Sequence, residues 1–137
     1  MGLNFIGIVI GTSLLLGIWL GHVSVRKLEF HLVNLGLAAF LFFLGGIGCE
    51  IGALFISNHI GSAVLGVIGM TLIWDGLELF RQQKRVQRGH AAANPANPRH
   101  RRILEHFPTA STADPFAPYT SLTPVEFYRT LFQEKDQ

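Results

Sequence analysis

The chain has 137 residues, of which 49% are hydrophobic and only 15% are charged, with a mean hydropathy of +0.36. Soluble globular chains carry about 25% charged residues, so this composition excludes an ordinary soluble enzyme domain. The formal net charge of +2 is unevenly distributed, because residues 1–80 contain only two of the eleven lysines and arginines. The chain is therefore an apolar first part joined to a basic tail, and its single cysteine, Cys49, excludes an internal disulfide framework and a cysteine-built zinc site.

Three apolar segments, residues 3–20, 32–56 and 60–80, are each long enough to cross a bilayer, since a hydrocarbon core about 30 Å thick needs about 20 helical residues. No positive residue precedes the first segment and no small-x-small cleavage site follows it, so we expect it to stay attached. Three residues separate the second and third segments, which predicts an antiparallel hairpin. The predicted fold class is all-α, a three-helix transmembrane bundle with a mostly irregular tail.

The positive charges predict the orientation of this bundle. One basic pair, Arg26 and Lys27, follows the first segment, a second basic group follows the third, and the hairpin between residues 56 and 60 has neither lysine nor arginine. Positive residues near span ends stay on the cytoplasmic side. We therefore expect the N-terminus outside and the tail in the cytoplasm, with Trp19 and Trp74 at the cytoplasmic interface of a bacterial inner membrane.

Small residues four apart occur in every span and predict close helix packing. The pairs are Gly7 and Gly11, Gly48 and Gly52, and Ser62 and Gly66. Because lipid supplies no hydrophobic drive between helices, association depends on close approach over small side chains. The pairs favour a compact bundle or docking onto other helices.

Glu50 is an ionisable residue inside the second span. Such residues are by default functional, since a lone charge in the membrane is costly. It could carry a proton, bind a cation or pair with a subunit. The simpler interpretation is that Glu50 is neutral, or hydrogen-bonded to Asn4, Thr12 or His59 near the interface.

The tail, residues 89–137, follows a third helix that we expect to continue to about residue 88. Six prolines break residues 89–137, so residues 89–122 are predicted to be extended, with a helical turn or two around 101–107. Thr123, Pro124 and Glu126 match an N-cap, a proline at the first helical position and a capping-box glutamate, which predicts a short amphipathic helix over 124–134. The tail aromatics and leucine expected to dock onto another protein are Phe107, Phe116, Tyr119, Phe127, Tyr128, Leu131 and Phe132.

Charged and aromatic residues near the cytoplasmic boundary are the candidate contacts for partner proteins or lipid headgroups. They are His22, Arg26, Lys27, Trp74, Glu78, Arg81, Lys84, Arg85, Arg88, Arg101 and Arg102. Cationic side chains near an anionic leaflet each contribute about 1 kcal/mol. The charges up to Arg88 are also explained by topology alone. Nucleic acid is not an expected partner, because no recognition motif accompanies the basic residues.

The residue pattern predicts no catalytic site, no metal site and no cofactor. No nucleophile stands with an assisting base, and no phosphate-binding glycine loop occurs. His22, His31 and His59 lie at span ends, where they do not face each other as paired haem ligands would. A tetrapyrrole or quinone headgroup near His22 stays open as an alternative.

Two blocks carry a family resemblance: residues 21–30, and residues 74–89 with Asn94-Pro95. The second block combines a tryptophan, a Glu-Leu pair, a glutamine and an Arg-Val dipeptide, which hydropathy does not require. From residue 4 to about 98 the chain resembles a domain-of-unknown-function family of small bacterial three-span membrane proteins. Val23 replaces the usual proline, His90-Ala91 replaces an aromatic pair, and residues 99–137 lie beyond the family pattern.

The resemblance implies an integral membrane protein and brings no activity with it. If the family motif forms a site, the matching positions are His22, Lys27, Glu29, Trp74, Glu78, Arg85 and Asn94. The leading hypothesis is a non-catalytic accessory subunit of a larger bacterial inner-membrane complex, respiratory or photosynthetic, clamped by its tail. A small oligomeric transporter or channel using Glu50 is the second hypothesis, and a pigment-, haem- or quinone-binding module is the third.

Overall fold

A computed structural model describes residues 3–113 and shows four helices in that range: α1 Ile6–His31, α2 Leu35–Ala53, α3 His59–Gln87 and α4 Pro98–His106. The first three are long and apolar enough to cross a membrane. The prediction of an all-helical fold with three membrane-spanning helices is therefore confirmed. The predicted helix over 124–134 lies outside the described residues.

Asparagine side chains begin three of the four helices. Oδ1 of Asn34 accepts from the Leu37 amide at 3.0 Å, Oδ1 of Asn58 accepts from the Ile60 and Gly61 amides at 2.9 and 3.1 Å, and Asn97 caps α4. These bonds satisfy amides that have no partner inside the first turn of a helix. In α4 the cap is followed by Pro98, whose fixed φ suits the first helical position.

The first helix extends further than its apolar segment. Arg26 and Lys27, expected in a loop, lie within α1, and the connection to α2 is only residues 32–34. The sequence from Val23 to His31 contains neither proline nor glycine, so nothing ends the helix where the apolar residues stop. Hydropathy marks the edge of the bilayer, and the helix continues beyond that edge.

The crossing of α2 and α3 is built on Gly46 and Gly69. A Cβ added to Gly46 would lie 2.8 Å from the Gly69 carbonyl oxygen, and one added to Gly69 would lie 2.9 Å from the Gly46 carbonyl oxygen. The backbones thus approach as closely as small residues permit. The predicted pairs are corrected in part. Gly7, Gly11 and Gly48 face open space, because spacing along one helix does not reveal which face meets a neighbour. The other three small residues, Gly52, Ser62 and Gly66, do lie at the contact between α2 and α3.

Residues 88–113 fold back onto the bundle instead of extending away from it. Gly89, at φ +73°, reverses the chain after α3, and the Ala93 amide donates to the Ser111 carbonyl at 2.8 Å. Ala93 and Ile103 bury themselves against Val86 of α3. The helical turn or two predicted around 101–107 is present as α4, which begins earlier, at Pro98. The extended conformation predicted for the rest is corrected for residues up to 113, since this part of the tail has its own small core.

Candidate functional site

A groove of about 590 Å³ opens above α3, with α1 on one side and Glu50 of α2 on the other. Its walls are mainly apolar, and three ionisable side chains lie in them: Glu50, His22 and Asp75. The apolar and small lining residues are Leu14, Ile18, Gly66, Val67, Met70, Thr71 and Trp74. The groove exists because α1 and α2 each pack along α3 and scarcely meet each other.

Glu50 lies against the glycine surface of α3. Its Oε1 would be 2.6 Å from a Cβ on Gly69, and its Oε2 would be 3.8 Å from one on Gly66. Oε1 is buried and has no hydrogen-bond partner within residues 3–113. Of the two simpler interpretations of Glu50, the hydrogen bond to Asn4, Thr12 or His59 is not formed within residues 3–113, because the carboxyl group turns toward α3 and the groove. The neutral form stays a prediction.

Asp75 is buried where α3 meets α1. Its carboxylate lies directly against Gly21, so that a Cβ on Gly21 would overlap the carboxylate oxygens. Only 8% of Asp75 is exposed, and the nearby His22 is exposed on the next position of α1. Gly21 thus makes room for an acidic side chain at the end of the groove.

Glu78 gathers several of the predicted boundary residues on one side of α3. Its Oε1 lies 2.7 Å from Nη2 of Arg85 and its Oε2 lies 3.4 Å from Nη1 of Arg81. Arg85 also donates from Nη1 to Oε1 of Gln82 at 3.0 Å, and the Arg81 guanidinium lies 4.5 Å from the centre of the Trp74 ring. These four predicted residues are therefore brought together, and they partner one another.

The segment 94–99 caps the C-terminal end of α1. Asn94 donates from Nδ2 to the Phe30 carbonyl at 3.2 Å, and Asn97 donates from Nδ2 to the Phe30 and Leu32 carbonyls, each at 3.1 Å. Arg99 adds bonds from Nε to the Leu32 carbonyl at 3.3 Å and from Nη2 to the Glu29 carbonyl. Carbonyls at a helix end have no partner in the helix itself, so this segment completes α1.

A buried ion pair lies at the centre of this cap. Nη1 of Arg99 and Nε2 of His100 both lie 2.9 Å from Oε1 of Glu29. Nδ1 of His100 accepts from the Asn94 amide at 2.8 Å, so Nε2 carries the proton that is donated to Glu29. Glu29 is 1% exposed and His100 is fully buried. We call Glu29, Arg99 and His100 the Glu29 cluster.

A second cleft, of about 580 Å³, runs along α1 beside the Glu29 cluster. Its α1 wall carries Trp19, His22, Arg26, Lys27 and His31, and its other wall comes from Gln82 of α3 and from residues 91–92. Helical positions separated by three, four, seven and eight share one face. His22, Arg26 and Lys27, predicted as boundary contacts, are therefore brought to one surface.

The remaining predicted residues are dispersed. Lys84, Arg88, Arg101, Arg102 and Phe107 are exposed and do not line either cleft. Phe116, Tyr119, Phe127, Tyr128, Leu131 and Phe132 lie outside the described residues. In residues 3–113 there is no group of three His, Cys, Asp or Glu side chains that could hold a metal ion.

Arg99, His100 and Asn97 were not predicted as positioning residues. Arg99 reaches across 70 positions to Glu29. A usable signal was present, because Asn97-Pro98 is an N-cap followed by a proline at the first helical position. A lone carboxylate at the end of a span, such as Glu29, also calls for a cation from elsewhere in the chain.

Residues 4–99 match the family described as Domain of unknown function (DUF4491), and the chain therefore belongs to that family. The match ends at Arg99, so it includes Glu29, Asn94 and Asn97 and stops before His100. Neither a curated protein nor a solved structure matches the chain.

Proposed function

We propose that this member of the DUF4491 family is a non-catalytic accessory subunit of a larger bacterial inner-membrane complex, of the respiratory or photosynthetic kind. The supporting observation is the open groove above α3, which α1 and α2 flank without closing. Helices associate in lipid by close packing of matched surfaces. A groove of this size in so small a bundle is suited to receive a helix of another subunit.

Glu50 adds a chemical requirement for whatever occupies the groove, namely a hydrogen-bond donor. Its Oε1 lacks a donor within the described residues, and an uncompensated carboxylate in a membrane is costly. A hydroxyl, amide or cationic side chain on the incoming helix would supply that donor. The partner we propose is therefore a membrane helix with a polar side chain at the level of Glu50.

The proposal keeps the N-terminus outside and the tail in the cytoplasm, where the tail clamps parts of the complex. The basic residues after α3 support this orientation. A reporter fused after Gln137 should stay on the cytoplasmic side, and export of the reporter would contradict the orientation. Deleting residues 114–137 should loosen the complex. This deletion leaves Arg99 and His100 in place, whereas a deletion from residue 99 would remove them together with the cap on α1.

A photo-activated cross-linker tests the accessory role most directly. Placed at Met70 in the groove, it should join the full chain to one discrete membrane protein in native membranes. Phe40 is a matched control, because it is 59% exposed on α2 and lies outside the groove. Adducts with lipid alone, together with a chain that migrates by itself after gentle detergent extraction, would refute the accessory role.

A small oligomeric transporter is the second candidate, because Glu50, His22 and Asp75 line the same groove. Gly66 and Asp75 mark its two ends, about 13 Å apart at the helical rise of 1.5 Å per residue. Cross-links from Met70 to a second copy of the chain would favour this function. Glu50→Gln should then abolish flux in reconstituted vesicles, and unchanged flux would eliminate it.

A quinone, haem or pigment contact near His22 is the weakest of the three proposals. It is supported only by the position of His22 beside both clefts. An absorption spectrum and solvent extraction of protein purified from native membranes test it, and a colourless preparation without quinone would count against it.

A further inference from the structure

The cleft along α1 has a graded chemistry from one end to the other. Trp19, 61% exposed, and Val23 lie toward one end of its α1 wall, with His22 between them. The charged side chains Arg26 and Lys27 lie toward the other end, followed by Phe30 and His31. Trp19 and Lys27 are eight residues apart, which is about 12 Å along a helix. The headgroup layer of a leaflet is about 5 to 8 Å thick, so the cleft extends from the edge of the hydrocarbon through that layer.

The acidic residue that lines the cleft is already engaged by side chains outside the cleft. Glu29 lines the cleft, and its carboxylate is held by Arg99 and His100 at 2.9 Å. Arg26 and Lys27 are adjacent and exposed on α1, and Gln82 adds an amide on the opposite wall. Arginine and lysine together are well suited to the oxygens of a phosphate group.

We propose that this cleft binds one anionic phospholipid. The phosphate lies beside Arg26 and Lys27, and the start of the acyl chains lies against Trp19 and Val23. An indole ring at the boundary between hydrocarbon and headgroups is a favourable neighbour for both parts of the lipid. This site adjoins the groove above α3 at His22, but the residues proposed to hold the lipid line only the cleft along α1, so it does not depend on the accessory role.

Native mass spectrometry of the full chain in neutral detergent tests the site, with phosphatidylglycerol and phosphatidylcholine as probes. Phosphatidylglycerol should bind at least tenfold more tightly than phosphatidylcholine. Arg26→Gln/Lys27→Gln should weaken its binding about thirtyfold, or about fivefold for each cation. Arg129→Gln/Lys135→Gln is the matched control, since it removes the same charge at two positions that have no proposed lipid contact, and it should change binding less than twofold.

Two further measurements are needed. One distinguishes binding of a lipid from binding of a free anion, and the other distinguishes a lost site from a misfolded variant. Trp19→Ala should weaken phosphatidylglycerol binding and leave any binding of inorganic phosphate unchanged. If the double variant loses helical ellipticity, Lys27→Gln alone decides, with an expected loss of about fivefold. Equal loss in the Arg129/Lys135 control, equal binding of phosphatidylcholine, or displacement of the lipid by equimolar inorganic phosphate would each overturn the proposal.

Discussion

The Glu29 cluster makes a sharp prediction about stability. Replacing Glu29 by alanine removes the acceptor shared by Arg99 and His100, while their side chains stay 13% and 0% exposed. Removing one partner of a buried ion pair costs about 3–5 kcal/mol, because the other charge is left uncompensated. We expect Glu29→Ala to lower the free energy of unfolding of the full chain by about that amount.

The contribution of the pair itself is isolated by a double-mutant cycle. Arg99→Ala should also destabilise the chain, since it removes the bonds to the Glu29 and Leu32 carbonyls together with the ion pair. The loss in free energy of unfolding in the double variant should be smaller than the sum of the losses in the two single variants by about 1–3 kcal/mol. This is the range found for residues in one network.

The assay is reversible unfolding in mixed detergent micelles, followed by far-ultraviolet ellipticity. Arg101→Ala serves as the control, because this arginine lies in the same helix, α4, and is exposed. It should change the unfolding free energy by no more than about 0.5 kcal/mol. A loss below about 1 kcal/mol for Glu29→Ala, or strict additivity in the cycle, would refute the reasoning.

Three further predictions concern backbone approach and the cap on α1. Gly69→Ala should lower the free energy of unfolding by about 1–3 kcal/mol, since its Cβ would meet Glu50 Oε1 at 2.6 Å and the Gly46 carbonyl oxygen at 2.9 Å. Gly48→Ala is the control, because Gly48 faces open space. It should change the free energy of unfolding by less than about 0.5 kcal/mol, or raise it. Gly21→Ala should displace the Asp75 carboxylate and therefore lower the thermal stability of the protein in detergent. The double variant Gly21→Ala/Asp75→Ala should recover that stability. Asn97→Asp keeps the acceptor for the Arg99 amide but loses the donors to Phe30 and Leu32, so amide exchange should accelerate at the end of α1 as much as it does in Asn97→Ala. Slow exchange in the aspartate variant would show that the N-cap alone matters.

Hydropathy was sufficient to predict the three membrane helices, and the lack of a break after Gly21 explains why α1 continues past Arg26. The contacts between helices could not be predicted in the same way. Gly46 and Gly69 meet because two separate helices turn these faces together, and residue spacing within one helix does not contain that information. Spacing therefore pointed to Gly7, Gly11 and Gly48, which face open space, as well as to Gly52, Ser62 and Gly66, which lie between α2 and α3.

The site was predictable only in part, and for a similar reason. Trp74, Glu78, Arg81 and Arg85 are close in sequence, so placing them on one helix brings them together. Glu29 and Arg99 are separated by 70 positions, and only the fold of residues 88–100 brings them into contact. Two clefts also form from residues of different helices, and their shape depends on the angles between those helices.

The cap on α1 has a consequence for biogenesis. The carbonyls at the end of α1 accept hydrogen bonds from side chains that leave the ribosome 64 to 70 residues later, which takes roughly 3 to 14 s at about 5–20 residues per second. Until then the last turn of α1 lacks these donors. A nascent chain released near residue 90 would therefore be recognisable to membrane quality control as unfinished, even with all three spans inserted.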